Sequence, residues 1–264
     1  VSFPNDVWQG HVSFREFGRE WDPAVGFAPR RGFRRVQPTV GWHPRPGGRL
    51  VRQLQFQGSL EYLTDLAGRL ETQRVSATPI GVALHSGDEA GVEVTSMVER
   101  IDEPFAISEG VAIPPGTYRF TDVEASVRTA RRRRISGSLE WRGGEFWSGE
   151  RTRLEGDLTL RPFDGVTLTA EWEHQAVALL EGRFTTRLLR LRASWHASPW
   201  TSLTTITQFD NVSDRLGLYA RLRWIVRPGS DLYLVYTHDW RQAAGAWTTV
   251  SRGGTAKVNV THRF

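Results

Sequence analysis

The side chains able to do acid, base or metal chemistry are thinly spread in this sequence. Seven histidines (His11, His43, His85, His174, His196, His238 and His262) are scattered over the chain, and no two show an H-E-x-x-H or comparable ligand spacing. There is no cysteine, which removes disulfides, thiolate metal sites and a cysteine nucleophile. Neither a G-x-S-x-G elbow, a phosphate-binding loop nor a dinucleotide fingerprint is present. The run Ser86-Gly87-Asp88-Glu89 could offer oxygens to a cation, but its composition suits a turn. Glu171 and Glu173 share one face of a strand, as a glycosidase pair would. They also suit a charged, water-facing surface, because Arg190, Arg192, Arg221 and Arg223 fall on the same parity of neighbouring strands. That polar face would line an interior, either cross-linked by ion pairs or favouring anionic solutes. The expectation is a non-enzymatic protein with no cofactor and no metal.

The elements that carry these residues read as strands. Leu154, Gly156, Leu158 and Leu160 alternate with Glu155, Asp157 and Thr159. Leu189, Leu191, Ala193 and Trp195 alternate with Arg190, Arg192 and Ser194, and Leu216 to Trp224 repeats the pattern. No segment holds a helical period, and no apolar run approaches the roughly 18 residues of a membrane helix. The predicted fold is all-β, an up-and-down antiparallel meander of about fourteen strands in a single domain over residues 1–264. Short Pro/Gly connections (Arg45–Gly48, Arg161–Gly165, Ser198–Trp200, Arg227–Ser230) alternate with longer ones: Gly18–Gly32, Asp102–Gly116, Gly143–Arg151, Gln175–Arg183 and Arg241–Gly253. Asp65–Gly68 breaks the alternation by being short. A meander with short turns at one end and long loops at the other is the pattern of an outer-membrane β-barrel, closed or open.

Three further signals bear on that reading. Trp42, Trp141, Trp172, Trp195, Trp224 and Trp240 fall at expected strand ends, with Tyr236 about one turn of the pleat further in, as interface aromatics do. The final run alternates Ala256, Val258, Val260 and Phe264 with polar residues and stops on Phe264, an expected assembly signal for a closing strand. The net charge is +5, carried almost wholly by arginine, with the sharpest cluster at Arg131–Arg134. Dispersed arginines without a nucleic-acid-binding motif argue against nucleic acid. Three segments lack a clean apolar face. Tyr118 and Phe120 share parity with Asp122 and Glu124, Leu70–His85 switches parity near Pro79, and Thr205 and Thr207 interrupt Leu203 and Phe209.

Several stretches (Gly26–Arg35, Ile101–Phe105, Ile113–Tyr118, Arg134–Gly149, Gln208–Leu218 and Leu222–Tyr236) resemble an uncharacterised bacterial family. Its members join an amino-terminal carbohydrate-binding family-9-like module to an outer-membrane β-barrel domain of unknown function. The resemblance covers the barrel part and implies that fold, a Gram-negative envelope setting and no particular chemistry. The start at Val1 is expected to reflect processing or trimming, with any signal peptide gone. The leading expectation is an outer-membrane channel, transporter or anchor with membrane lipid and the assembly machinery as partners. The alternatives are an accessory sheet docked on a larger membrane protein complex, and a periplasmic carbohydrate-associated domain.

Overall fold

β-branched and aromatic residues spaced two apart favour extended backbone, and here they build almost nothing else. A computed structural model describes residues 1–21, 30–243 and 245–261. The strands are β1 (Ser2–Phe3), β2 (Trp8–Phe17), β3 (Phe33–Trp42), β4 (Val51–Leu54), β5 (Phe56–Asp65), β6 (Leu70–Leu84), β7 (Glu89–Ile101), β8 (Phe105–Ser108) and β9 (Val111–Ile113). They continue with β10 (Gly116–Arg128), β11 (Ile135–Phe146), β12 (Gly149–Leu160), β13 (Val166–Ala178), β14 (Arg183–Ser198), β15 (Thr201–Asp210), β16 (Arg215–Arg227), β17 (Ser230–Ala243) and β18 (Ala246–Val260). All pair in sequence order in one antiparallel sheet of sixteen strands, except that β4 joins from the side through β6 and β8–β9 form a separate hairpin. The predicted meander is therefore the observed one. Setting aside the short β1 and β4, the sheet holds fourteen long strands.

The chain forms two compact units. One is Val1–Arg128 with Glu140–Arg153 and Ala176–Phe184; the other is Thr129–Leu139 with Leu154–Gln175 and Thr185–Phe264. In the first, the β6 parity switch is a β-bulge between Ala77 and Ile80, where Pro79 cannot donate to the ladder. The same unit contains the protein's conventional core: Val111, Ile113, Val177 and Leu179 are buried, with Ile107, Tyr118, Phe146 and Trp147 packed on them.

Connection lengths differ from expectation at three places. Gly143–Arg151, Gln175–Arg183 and Arg241–Gly253 were expected to be long loops, but are hairpins in which β11–β12, β13–β14 and β17–β18 run almost to the tip. Strand ends without a clean apolar–polar alternation look like loops in sequence, yet the ladder simply continues through them. Trp147 takes a left-handed φ of 51° in the two-residue turn between β11 and β12. As a result Trp141 and Trp172 lie within strands and not at their ends, whereas Trp42, Trp195, Trp224 and Trp240 do lie near ends. Asp102–Gly116 is long and carries the β8–β9 hairpin. Phe264 lies outside the described residues, as do residues 22–29 of the Gly18–Gly32 connection.

Candidate functional site

Because side chains alternate across a strand, each register position defines a row crossing several strands on one face. In the first unit one row reads Thr39, Ser59, Ser76, Thr95 and Asp122 through β3, β5, β6, β7 and β10. The adjacent row, on the opposite face, reads Val40, Gly58, Ala77, Val94 and Val123. In the second unit Ser194, Thr204, Arg221, Val235 and Thr255 alternate with Trp195, Leu203, Leu222, Leu234 and Ala256 through β14 to β18. Burial runs opposite to the rule for water-soluble proteins. Thr95 and Asp122 are 8% and 7% exposed while Val40 is 55% exposed. Ser136 is 4% exposed beside Ile135 at 64%. Leu189, Leu191, Trp195, Trp224, Leu234 and Tyr236 are likewise exposed.

The buried polar face of the first unit is organised by ion pairs. Asp122 accepts from Arg151 Nη2 at 2.7 Å and lies 4.0 Å from Arg142 Nη1, while Arg142 also pairs with Glu124. The Arg151 guanidinium stacks 4.3 Å from the Phe146 ring centre. Asp65 pairs with Arg69 at 2.6 Å and Arg100 at 3.9 Å, and Arg30 reaches Glu71 and Glu99. In the turn after β5, the side-chain hydrogen bond to Asp65 raises the Arg69 pKa. The mixed face of β10 is thereby explained. Phe120 and Tyr118 join the aromatic cluster around Trp147, with ring centres 5.6 and 5.3 Å away, while Asp122 and Glu124 meet arginines.

In the second unit the register puts Arg190, Arg192, Arg221 and Arg223 on one face. Arg190 binds Glu171 at 3.3 Å and Gln208 through two nitrogens. Arg223 instead pairs with Asp231 at 3.0 Å and lies 5.6 Å from the Tyr233 ring centre. Glu171 is thus held by an arginine, while Glu173 follows it at the same parity. Sequence reading missed the ion-pair network of the first unit. The pairs Asp122–Arg151 and Asp65–Arg100 join residues remote in sequence, and only strand register brings them together.

The apolar face has its own detail. Trp172 lies over Gly156, where any Cβ would meet the indole, and Trp141 covers Gly143 in the same way. Thr205 and Thr207, which interrupt the apolar parity of β15, sit with Ala170 and Ala193 among leucines in a shallow depression of about 260 Å³. Val258 and Val260 are exposed, and β18 is exposed along its whole length. Ser86–Glu89 forms a tight turn with Gly87 at φ 87° and Ser86 donating to Asp88 at 2.7 Å. Among the described residues no cluster of three His, Asp or Glu side chains is arranged to hold a metal ion. No protein-family model matches the chain, and no curated protein matches it.

Proposed function

We propose that this chain is a non-enzymatic membrane-spanning β-sheet protein of the outer-membrane type, in which the apolar face meets lipid and the charged face lines an aqueous interior. The observation that carries the proposal is the inverted alternation: Thr95, Asp122, Ser136 and Thr204 are sheltered while Val40, Ile135, Leu191 and Trp195 are exposed. Strands of 12 to 16 residues dominate from β10 onward. Thirteen residues at about 3.4 Å each, tilted by about 45°, rise about 30 Å, the thickness of a hydrocarbon core. Ion pairs that tie strands together, one of them reaching past β11 from β10 to β12, support an anchor or scaffold more than an open pore. The test is extraction and migration. The protein should resist carbonate extraction, need detergent, and run at different apparent masses before and after boiling. Recovery as a detergent-free soluble monomer overturns the proposal. Stepwise conductance in planar bilayers would replace the anchor role with a channel.

A second reading draws on β18. Within its unit it pairs only with β17, and all fifteen of its residues are exposed. An unpaired long edge is a template for another strand, which fits an accessory sheet docked on a larger membrane complex. Stoichiometric co-purification of partner subunits supports that version; a free barrel in detergent refutes it.

A further inference from the structure

We infer that the connection between β10 and β11 is a docking surface for the phosphate headgroups of an anionic phospholipid leaflet. The inference rests on the membrane reading above. Arg131, Arg132, Arg133 and Arg134 are consecutive and exposed. They are not on a loose loop. Arg161 Nη1 donates to the carbonyls of Arg131 and Arg133, both at 3.1 Å, and to Ser136 Oγ at 3.5 Å. The Arg161 amide donates to the Arg134 carbonyl at 2.7 Å, and Thr129 and Gly137 close the base of the turn. Five guanidinium groups therefore share one built turn. The only carboxylate in connections 129–134 and 161–165 is Asp164. Connection 211–214, on the opposite end of the strands of this unit, carries Asp214 and no cation.

What decides for a leaflet over a dissolved anion is the apolar company. Ile135 directly follows the arginines and is 64% exposed, and Phe163 in the next turn is 63% exposed. Trp195, Trp200 and Trp224 are exposed at the same ends of β14, β15 and β16, and Trp200 accepts a backbone bond from Ile225. Indole and guanidinium side by side are the chemistry of the headgroup layer, where rings enter the acyl boundary and cations meet phosphate. A soluble phosphate or a nucleic acid gives exposed Ile135 and Phe163 nothing to do.

The test compares binding of the full chain to vesicles of neutral phosphatidylcholine with vesicles in which roughly a third of the lipid is phosphatidylglycerol, at low and high salt. Each arginine near an anionic surface contributes about fivefold in partitioning. The wild type should prefer the anionic vesicles by at least about tenfold, and high salt should abolish that preference. The variant R131Q/R132Q/R133Q/R134Q should lose the preference yet still insert in neutral vesicles, and the matching four-lysine variant should keep it. Equal wild-type binding to both vesicle types, a preference retained by the glutamine variant, or displacement by free phosphate or an oligonucleotide at matched phosphate concentration overturns the inference. Failure to insert in either vesicle type instead overturns the membrane reading itself, so the two outcomes are distinct.

Discussion

Leu191→Arg is the sharpest single test of the inverted face. Leu191 is the ninth of sixteen residues in β14, at mid-strand. It lies opposite Thr207, with Leu218 next in the row, and is 46% exposed. If that exposure is to hydrocarbon, an arginine there sits close to the bilayer midplane and costs about 2–4 kcal/mol. If the exposure is to water, the same substitution is a surface change worth no more than about 0.5 kcal/mol. β-propensity differences are spread over about 1 kcal/mol and do not blur that gap. Leu180→Arg is the control. Leu180 is 88% exposed in the tip between β13 and β14, outside the strands, and should change stability by less than about 0.5 kcal/mol. The assay is equilibrium denaturant unfolding of protein refolded in short-chain phosphatidylcholine vesicles, with linear extrapolation. A Leu191→Arg variant as stable as wild type, or a Leu180→Arg variant equally damaged, refutes the assignment of the apolar rows to lipid.

Three other outcomes follow from named contacts. Asp122→Asn leaves Arg142 and Arg151 facing a neutral group in a sheltered site and should cost about 3 kcal/mol in the same unfolding assay; a loss under about 1 kcal/mol would show that the pairing contributes little. Ile113 is fully buried, so Ile113→Ala should cost about 3 kcal/mol locally. Amide protection of β8 and β9 should then fall while that of β15 to β17 stays unchanged, and uniform loss across the sheet would contradict a separate core. Gly156→Ala drives a Cβ into the Trp172 ring and should shift tryptophan emission; the same shift in a Trp172→Phe background would mean the ring does not sit there.

The meander was legible because period two is a local property. Leu189–Trp195 and Leu216–Trp224 each declare their own strand, and the Pro/Gly turns declare their ends. Legibility failed where the governing contact was remote. The hairpins around Trp147–Ser148 and Gly245 have flanks that do not alternate apolar with polar residues, so nothing local distinguishes a ladder from a loop there. The mixed face of Tyr118, Phe120, Asp122 and Glu124 made no sense alone, because its partners Trp147, Arg142 and Arg151 arrive from a later hairpin. The switch near Pro79 was readable, since a residue that cannot donate must fall at a bulge or an edge. Of the polar-face residues, sequence parity correctly grouped Arg190, Arg192, Arg221 and Arg223, but not which of them finds a carboxylate.

The two packing regimes in this chain constrain where its surroundings change. Apolar burial in water contributes about 1.5–3 kcal/mol for each large aliphatic or aromatic side chain. The cluster of Ile113, Val111, Val177 and Leu179 obeys that rule, and it joins the β8–β9 hairpin to the tip between β13 and β14. The strands themselves violate it at Val40, Leu191, Trp195, Trp224 and Leu234. On the membrane reading proposed above, water surrounds the hairpin tips and an apolar medium surrounds the strands. The residues where the rule changes sign mark that boundary in the first unit. Tyr118 still packs on the Ile113 cluster, while Asp122, four residues further along β10, is sheltered on the same face and opposite parity from exposed Val127. On that reading the edge of the apolar medium would cross β10 between Tyr118 and Asp122.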